Sequence, residues 1–167
     1  MNYYQSLGYL VLGSRLKRLS EAFLSEINKA YRAEGIVFET TWFPVFYLLS
    51  ENNSLSIQEL CEQIEVTHPA ASQLITNLKS KGLVAATTSK EDARKQLIKL
   101  TPEGKKLLKK ILPVWDAIRE TMEEVAGPES HAILNTLTTL EEAFKSANIV
   151  KSITEKIHQP INTPVHE

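Results

Sequence analysis

Leu12, Leu16, Leu19, Phe23, Ile27 and Ala30 recur at spacings of three and four, the period of one face of an α-helix. The stripe predicts one helix over residues 7–33, closed near Glu34-Gly35 because glycine readily takes the left-handed capping conformation. Such a helix is about 40 Å long at about 1.5 Å per residue. A small core cannot cover that length, so part of the stripe is expected to pack on another chain. A second helix is expected to start at Thr40 or Thr41 as N-cap and to break at Asn52-Asn53. Pro44 falls in its first turn, where the missing N–H would be unpaired anyway.

Ser56-Ile57-Gln58-Glu59 has the form of a capping box, opening a short helix with Leu60 and Ile64 inward and a stop at Glu65-Val66. Thr67 is expected to cap the next helix, with Pro69 in its first turn. Ala71, Leu74, Ile75 and Leu78 form an apolar face at i, i+3, i+4 and i+7. Lys79, Lys81 and Gly82 suit its C-terminal end. Two short helices joined by a tight turn are the helix-turn-helix arrangement. After Gly82 the period drops to two. Residues 83–88 and 96–100 read as strands around the polar link 89–95, a hairpin placed as a wing. Thr101-Pro102 starts a further helix carrying Leu107, Leu108, Ile111, Leu112, Trp115, Ile118 and Met122, with a kink expected at Pro113. Gly127-Pro128 separates it from a last long helix bearing Ile133, Leu137, Leu140, Phe144 and Ala147. Residues 149–158 add a helical turn or two, and 159–167 read as a loose tail.

Length and composition narrow the class. A chain of 167 residues buries enough surface to fold as one unit without staples. The single Cys61 excludes an intramolecular disulfide. No apolar run approaches the roughly 20 residues that span a bilayer, and the first residues lack the basic and apolar regions of a signal peptide. A cytoplasmic location is expected. The net charge of −1 is unevenly spread: residues 54–110 hold ten Lys/Arg against six Asp/Glu, and residues 111–167 hold four against nine. A basic block in one segment is the footprint of a polyanion-binding face.

In this order the elements resemble the multiple-antibiotic-resistance-regulator (MarR) family of transcriptional regulators. The likeness covers residues 7 to about 147 and rests on Leu55-Ser56-Ile57-Gln58-Glu59-Leu60, Val66-Thr67-His68-Pro69-Ala70-Ala71-Ser72-Gln73, Lys81-Gly82-Leu83-Val84, Asp92-Ala93-Arg94 and Leu100-Thr101-Pro102-Glu103-Gly104. It implies a mainly α chain forming a single unit over 1–167, with a winged helix-turn-helix DNA-binding lobe over 38–101 and a two-stranded wing. It also implies dimerisation helices at 7–35 and 102–148, and a homodimer that binds double-stranded DNA at a pseudo-palindromic operator. Where the family usually carries an arginine in the first wing strand, this chain has Ala86.

Candidate residues follow. The exposed face of the second short helix would carry Thr67, His68, Pro69, Ser72, Gln73, Thr76, Asn77 and Lys79. Gln pairs bidentately with adenine, hydroxyls serve several bases, and Pro suits a thymine methyl. Lys90, Arg94 and Lys95 occupy the wing, and the resemblance implies that Arg94 reaches the minor groove, whose potential favours arginine. The aromatics Trp42, Phe43, Phe46, Tyr47 and Trp115, with Arg15 or Arg18 as anion partners, are candidates for the effector pocket that the resemblance implies, for a small aromatic or anionic ligand. On residue type alone, aromatics on helices are more often core. Cys61 reads as a small buried hydrophobe. The four histidines lack metal-ligand spacing, and Asp116, Glu120, Glu123 and Glu124 read as a solvated face. No catalytic constellation, metal or cofactor is expected. The rival is a winged-helix module for protein contacts alone, marked by salt-insensitive association.

Overall fold

The computed structural model describes residues 3–88 and 95–159. The described elements are α1 (Tyr3–Ser6), a 3-10 turn (Gly8–Val11), α2 (Leu12–Ala33), a 3-10 turn (Thr40–Trp42), α3 (Phe43–Glu51), β1 (Leu55–Ser56), α4 (Ile57–Ile64) and α5 (His68–Ser80). They continue with β2 (Val84–Thr88), β3 (Gln96–Leu100), α6 (Pro102–Ala126), a 3-10 turn (Gly127–Glu129), α7 (Ser130–Ser146) and α8 (Ile149–His158). The chain divides into two compact units, Met1–Ile118 and Arg119–Glu167.

Several expected boundaries hold and several move. The first helix is not one piece: Gly8 at φ +56° is left-handed, which an α-helix cannot absorb, so the regular helix begins at Leu12. α2 ends as expected, with Glu34 as its C-cap and Gly35 at φ +64°. Thr40 and Thr41 do not cap α3. They lie in the preceding 3-10 turn, where Asn28 Oδ1 accepts from the Thr40 amide at 3.4 Å and Asn28 Nδ2 donates to Thr40 Oγ1 at 3.3 Å. The helix past the expected Gly127-Pro128 break is present, and residues 149–158 form ten regular helical residues instead of a turn or two, because Asn148 Oδ1 accepts from the Lys151 amide at 3.0 Å.

The first unit holds the core. Phe46 and Leu60 have no exposed surface, and with Trp42, Val45, Ile75, Leu78, Val84, Ile98 and Ile111 they form one cluster. Burying each large apolar side chain contributes about 1.5–3 kcal/mol. The cluster also takes in Tyr31 and Phe38. Phe38 meets Tyr31, Trp42, Phe46 and Trp115 with centroids 5.0, 5.7, 5.2 and 6.3 Å away. Trp115 Nε1 donates to the Tyr31 hydroxyl at 2.8 Å, joining α6 to α2, and burial pushes the Tyr31 phenol above its ordinary range.

The sheet has three strands in the order β1-β3-β2, all antiparallel: β2 and β3 form the expected two-stranded wing, and β1 joins β3 as a third strand. Leu55 pairs with Ile98, so Leu55-Ser56 serve both as a strand and as the lead-in to α4. β2 and β3 are in register from Val84 opposite Leu100 to Thr88 opposite Gln96. Ala86 sits opposite Ile98 and packs on the core, on the inward side of β2.

In the second unit, no described residue of α7 or α8 is buried. Ile133, Leu134 and Phe144 of α7 are exposed, as are Val150, Ile153 and Ile157 of α8. Among the described residues no helix is long and apolar enough to cross a membrane.

Candidate nucleic-acid interface

The site begins with the joint between α4 and α5. Ser56 Oγ accepts from the Glu59 amide at 3.2 Å and Glu59 Oε2 accepts from the Ser56 amide at 2.7 Å, completing the expected capping box. Those bonds to Ser56, with the Lys95 charge nearby, hold the Glu59 carboxyl below its ordinary range. Lys95 therefore stands close to the start of α4, where with Gln96, Ser56, Ile57 and Gln58 it lines a cavity of about 280 Å³. α4 stops at Glu65, which takes φ 53° and turns the chain toward α5.

Thr67 is the N-cap of α5, but its side chain makes no capping bond. Pro69 at the second helical position has no N–H, so one of the two amides that such an oxygen serves is missing. Ala71, Ile75 and Leu78 are buried and Leu74 is half-buried, so one face of α5 is sealed in the core as its spacing predicts. Thr67, His68, Pro69, Gln73, Thr76, Asn77 and Lys79 are exposed and Ser72 is half-buried, so the structure gathers all eight candidates on one helix. Ser72 Oγ and His68 Nδ1 share a hydrogen bond at 3.3 Å, and Thr76 Oγ1 donates to the Ser72 carbonyl at 2.8 Å. Among the described residues, the Gln73 amide and the Lys79 ammonium have no side-chain partner. Both are free to meet an external acceptor or donor. Of the wing candidates Lys95 is exposed, while Lys90 and Arg94 lie outside the described residues.

A second joint fixes the wing to α5. Gly82, at φ +69°, ends the helix; Thr101 Oγ1 donates to the Gly82 carbonyl at 2.6 Å, and the Thr101 amide donates to the Leu83 carbonyl at 3.1 Å. Gly104 donates its amide to Thr101 Oγ1 at 3.0 Å, and a Cβ on it would lie 2.1 Å from the Leu83 oxygen. Bonds and close packing thus hold the start of α6 against the end of α5. Sequence reasoning misses this use of Gly104, and nothing in the local pattern signals it.

The effector candidates separate. Trp42 and Phe46 are consumed by the core around Phe38. Tyr47 and Trp115 come together with Phe43: Phe43 lies 4.8 Å from Trp115 and 5.6 Å from Tyr47, and Tyr47 lies 6.0 Å from Trp115. Arg15 and Arg18 are exposed on α2, with the Arg18 guanidinium 5.2 Å over the Tyr4 ring. Another cavity, of about 530 Å³, opens between the end of α2 and residues 35–41, lined by Asn28, Arg32, Ile36 and Phe38 among others. None of the seven effector candidates lines it. Among the described residues no group of three or more His, Cys, Asp or Glu is placed to hold a metal ion, and Cys61 is half-buried.

Comparison with known proteins places this geometry. A family model for the MarR family matches residues 38–95. Over 106 residues the chain is 33% identical to the HTH-type transcriptional regulator FarR of Neisseria gonorrhoeae, an alignment covering 61% of this chain and 73% of that protein. The crystal structure of NadR in complex with 4-hydroxyphenylacetate superposes with a TM-score of 0.56 at 30% identity, over 79% of this chain and 91% of NadR. The transcriptional repressor CouR, bound to a 23-mer DNA duplex, gives a TM-score of 0.68 at 23% identity over 81% of this chain and 96% of CouR, and shares the fold.

Proposed function

The chain belongs to the MarR family of transcriptional regulators, and from that premise we propose that it binds a pseudo-palindromic operator in duplex DNA as a homodimer, with α5 reading bases in the major groove. The observation that carries this reading is α5 itself. Its apolar face is committed to the core, and its opposite face offers Gln73, Thr76, Asn77 and Lys79 to an outside partner. Phosphate contacts from Lys79, Lys90, Arg94 and Lys95 would supply affinity, and contacts from α5 specificity. Each subunit would place one α5 in the major groove, with half-sites about one helical turn apart.

The homodimer is supported by apolar surface that each unit leaves open. Leu19 of α2 is 68% exposed and Phe144 of α7 is 66% exposed. Replacing Phe23 and Leu140 by Asp should give monomer or unfolded protein, and a stable wild-type monomer at micromolar concentration in sedimentation would refute the assignment. A small aromatic or anionic effector fits the exposed edge of Phe43, Tyr47 and Trp115, and the NadR relative is seen with an aromatic acid. No catalytic role is assigned, and a regulator of this kind would work in the cytoplasm.

The test is selection of bound sites from random duplex DNA, followed by salt titration of the selected site. Recovery of a symmetric motif, with log affinity falling steeply and linearly against log salt, is the expected result. Salt-insensitive association and no recovered motif would favour the protein-contact module instead.

A further inference from the structure

Four of the ten lysines and arginines in residues 54–110 lie outside the helix-turn-helix and wing, at Lys105, Lys106, Lys109 and Lys110 in the first turns of α6. At about 100° per residue they fall within an arc of about 140° on one side of the helix. The opposite side carries Leu107, Leu108 and Ile111, which pack into the core, so all four lysines point outward and all four are exposed. Among the described residues none of them has a carboxylate within ion-pair distance.

This arrangement works against the helix that carries it. Lys105 with Lys109, and Lys106 with Lys110, are like charges at i, i+4, which repel. The cluster also begins one turn from the N-terminus of α6, where the helix dipole favours anions. A protein that retains four uncompensated cations here gains by an external polyanion what it loses internally. The helix is also held where such a partner would run. Thr101 and Gly104 anchor its first turn to Gly82 and Leu83, directly after α5, so the lysines are held beside the end of α5.

We propose that this lysine face is a second phosphate-binding surface, gripping the backbone of duplex DNA outside the bases that α5 meets. The proposal rests on the reading that the chain binds duplex DNA, and the experiment separates the two. Lys105, Lys106, Lys109 and Lys110 are all replaced by Gln, and affinity for the selected operator and for a scrambled duplex is followed against salt. A control variant removes equal charge elsewhere, through Lys17, Lys29, Lys151 and Lys156, each replaced by Gln. Each lysine–phosphate pair removed flattens the slope of log affinity against log salt by about 0.9. If each subunit gives up two such pairs, the dimer's slope should become shallower by about three to four. Affinity should fall by more than about tenfold at low salt on both duplexes, and the preference for operator over scrambled DNA should be unchanged. The control should keep the wild-type slope. The lysine-face variant should melt no lower than wild type, since its substitutions remove repulsion. An unaltered slope in that variant, an equal loss in the control, or a lower melting temperature each overturns the proposal while leaving DNA binding intact. Wild-type protein that fails to bind duplex DNA overturns both readings.

Discussion

Gly104→Ala is the most exacting test of how the wing and α5 are joined. By intrinsic preference alone the change should help, since Ala is favoured over Gly in a helix by about 1 kcal/mol. The space forbids it. The new Cβ would lie 2.1 Å from the Leu83 carbonyl oxygen, 3.1 Å from its carbon and 3.2 Å from Leu100 Cδ2. An ordinary contact needs more than an ångström of further separation, and the nearest atom is backbone, which no rotamer change can move aside. Shifting the start of α6 by that distance strains the bond from the Thr101 amide to the Leu83 carbonyl and the bond from Thr101 Oγ1 to the Gly82 carbonyl. Each is worth about 1 kcal/mol, and overpacking of this kind costs about 1–3 kcal/mol by itself. Net of the helix-propensity gain, the variant should lose about 2–4 kcal/mol. Urea unfolding at matched protein concentration measures it, concentration being held fixed because association would add to apparent stability. A variant as stable as wild type would mean that the close approach of α6 to Leu83 does not exist in solution.

Gly82→Ala should also destabilise, for another reason: nothing lies within 4 Å of its added Cβ, but φ is +69°. The loss should be about 1–2 kcal/mol, and Gly82→Asn should recover part of it because Asn tolerates that conformation. Ser56→Ala should cost about 1 kcal/mol in the same urea assay by removing the α4 cap. Its partner makes the cap acid-sensitive: the depressed Glu59 carboxyl contributes stability above its unfolded value near 4.5, and that contribution is lost as pH falls through the lower folded value. Glu59→Gln should therefore flatten the fall in melting temperature below about pH 4.5, and an unchanged acid limb would refute this. In DNA binding, Gln73→Ala should lose about 1–3 kcal/mol at one operator position with the salt slope unchanged, whereas Arg94→Ala should weaken binding at the flanks and flatten the slope. Gel-shift titration across operator variants distinguishes the two.

What is legible in the amino-acid sequence is what short-range periodicity encodes. Ala71, Leu74, Ile75 and Leu78 define the buried side of α5, and its outward candidates follow by subtraction. Ser56 and Glu59, three residues apart, disclose their own cap. What stays hidden depends on partners far along the chain. The Trp115 bond to Tyr31 spans 84 residues, and neither side chain's neighbours announce it. Gly104 stands in the sequence only as the end of the Leu100-Thr101-Pro102-Glu103-Gly104 string, and its role shows once Leu83 is seen against it. The capping signal at Leu55-Ser56 masks the pairing of those residues with β3 as a third strand. Thr40 shows the reverse error, a good capping residue withdrawn from that role by Asn28.

The aromatic hub around Phe38 has a practical consequence for spectroscopy. Both tryptophans and all five tyrosines precede residue 119, so tryptophan and tyrosine emission reports on the first unit alone. Trp42 and Trp115 each touch the Phe38 ring, which makes their signal that of one shared environment. Far-ultraviolet dichroism, by contrast, sums the helices of both units. Melts followed by the two signals coincide if the molecule unfolds in one step and diverge if the C-terminal helices come apart at a different temperature. The chain thus carries, without any label, an indole and phenol signal confined to one of its two units.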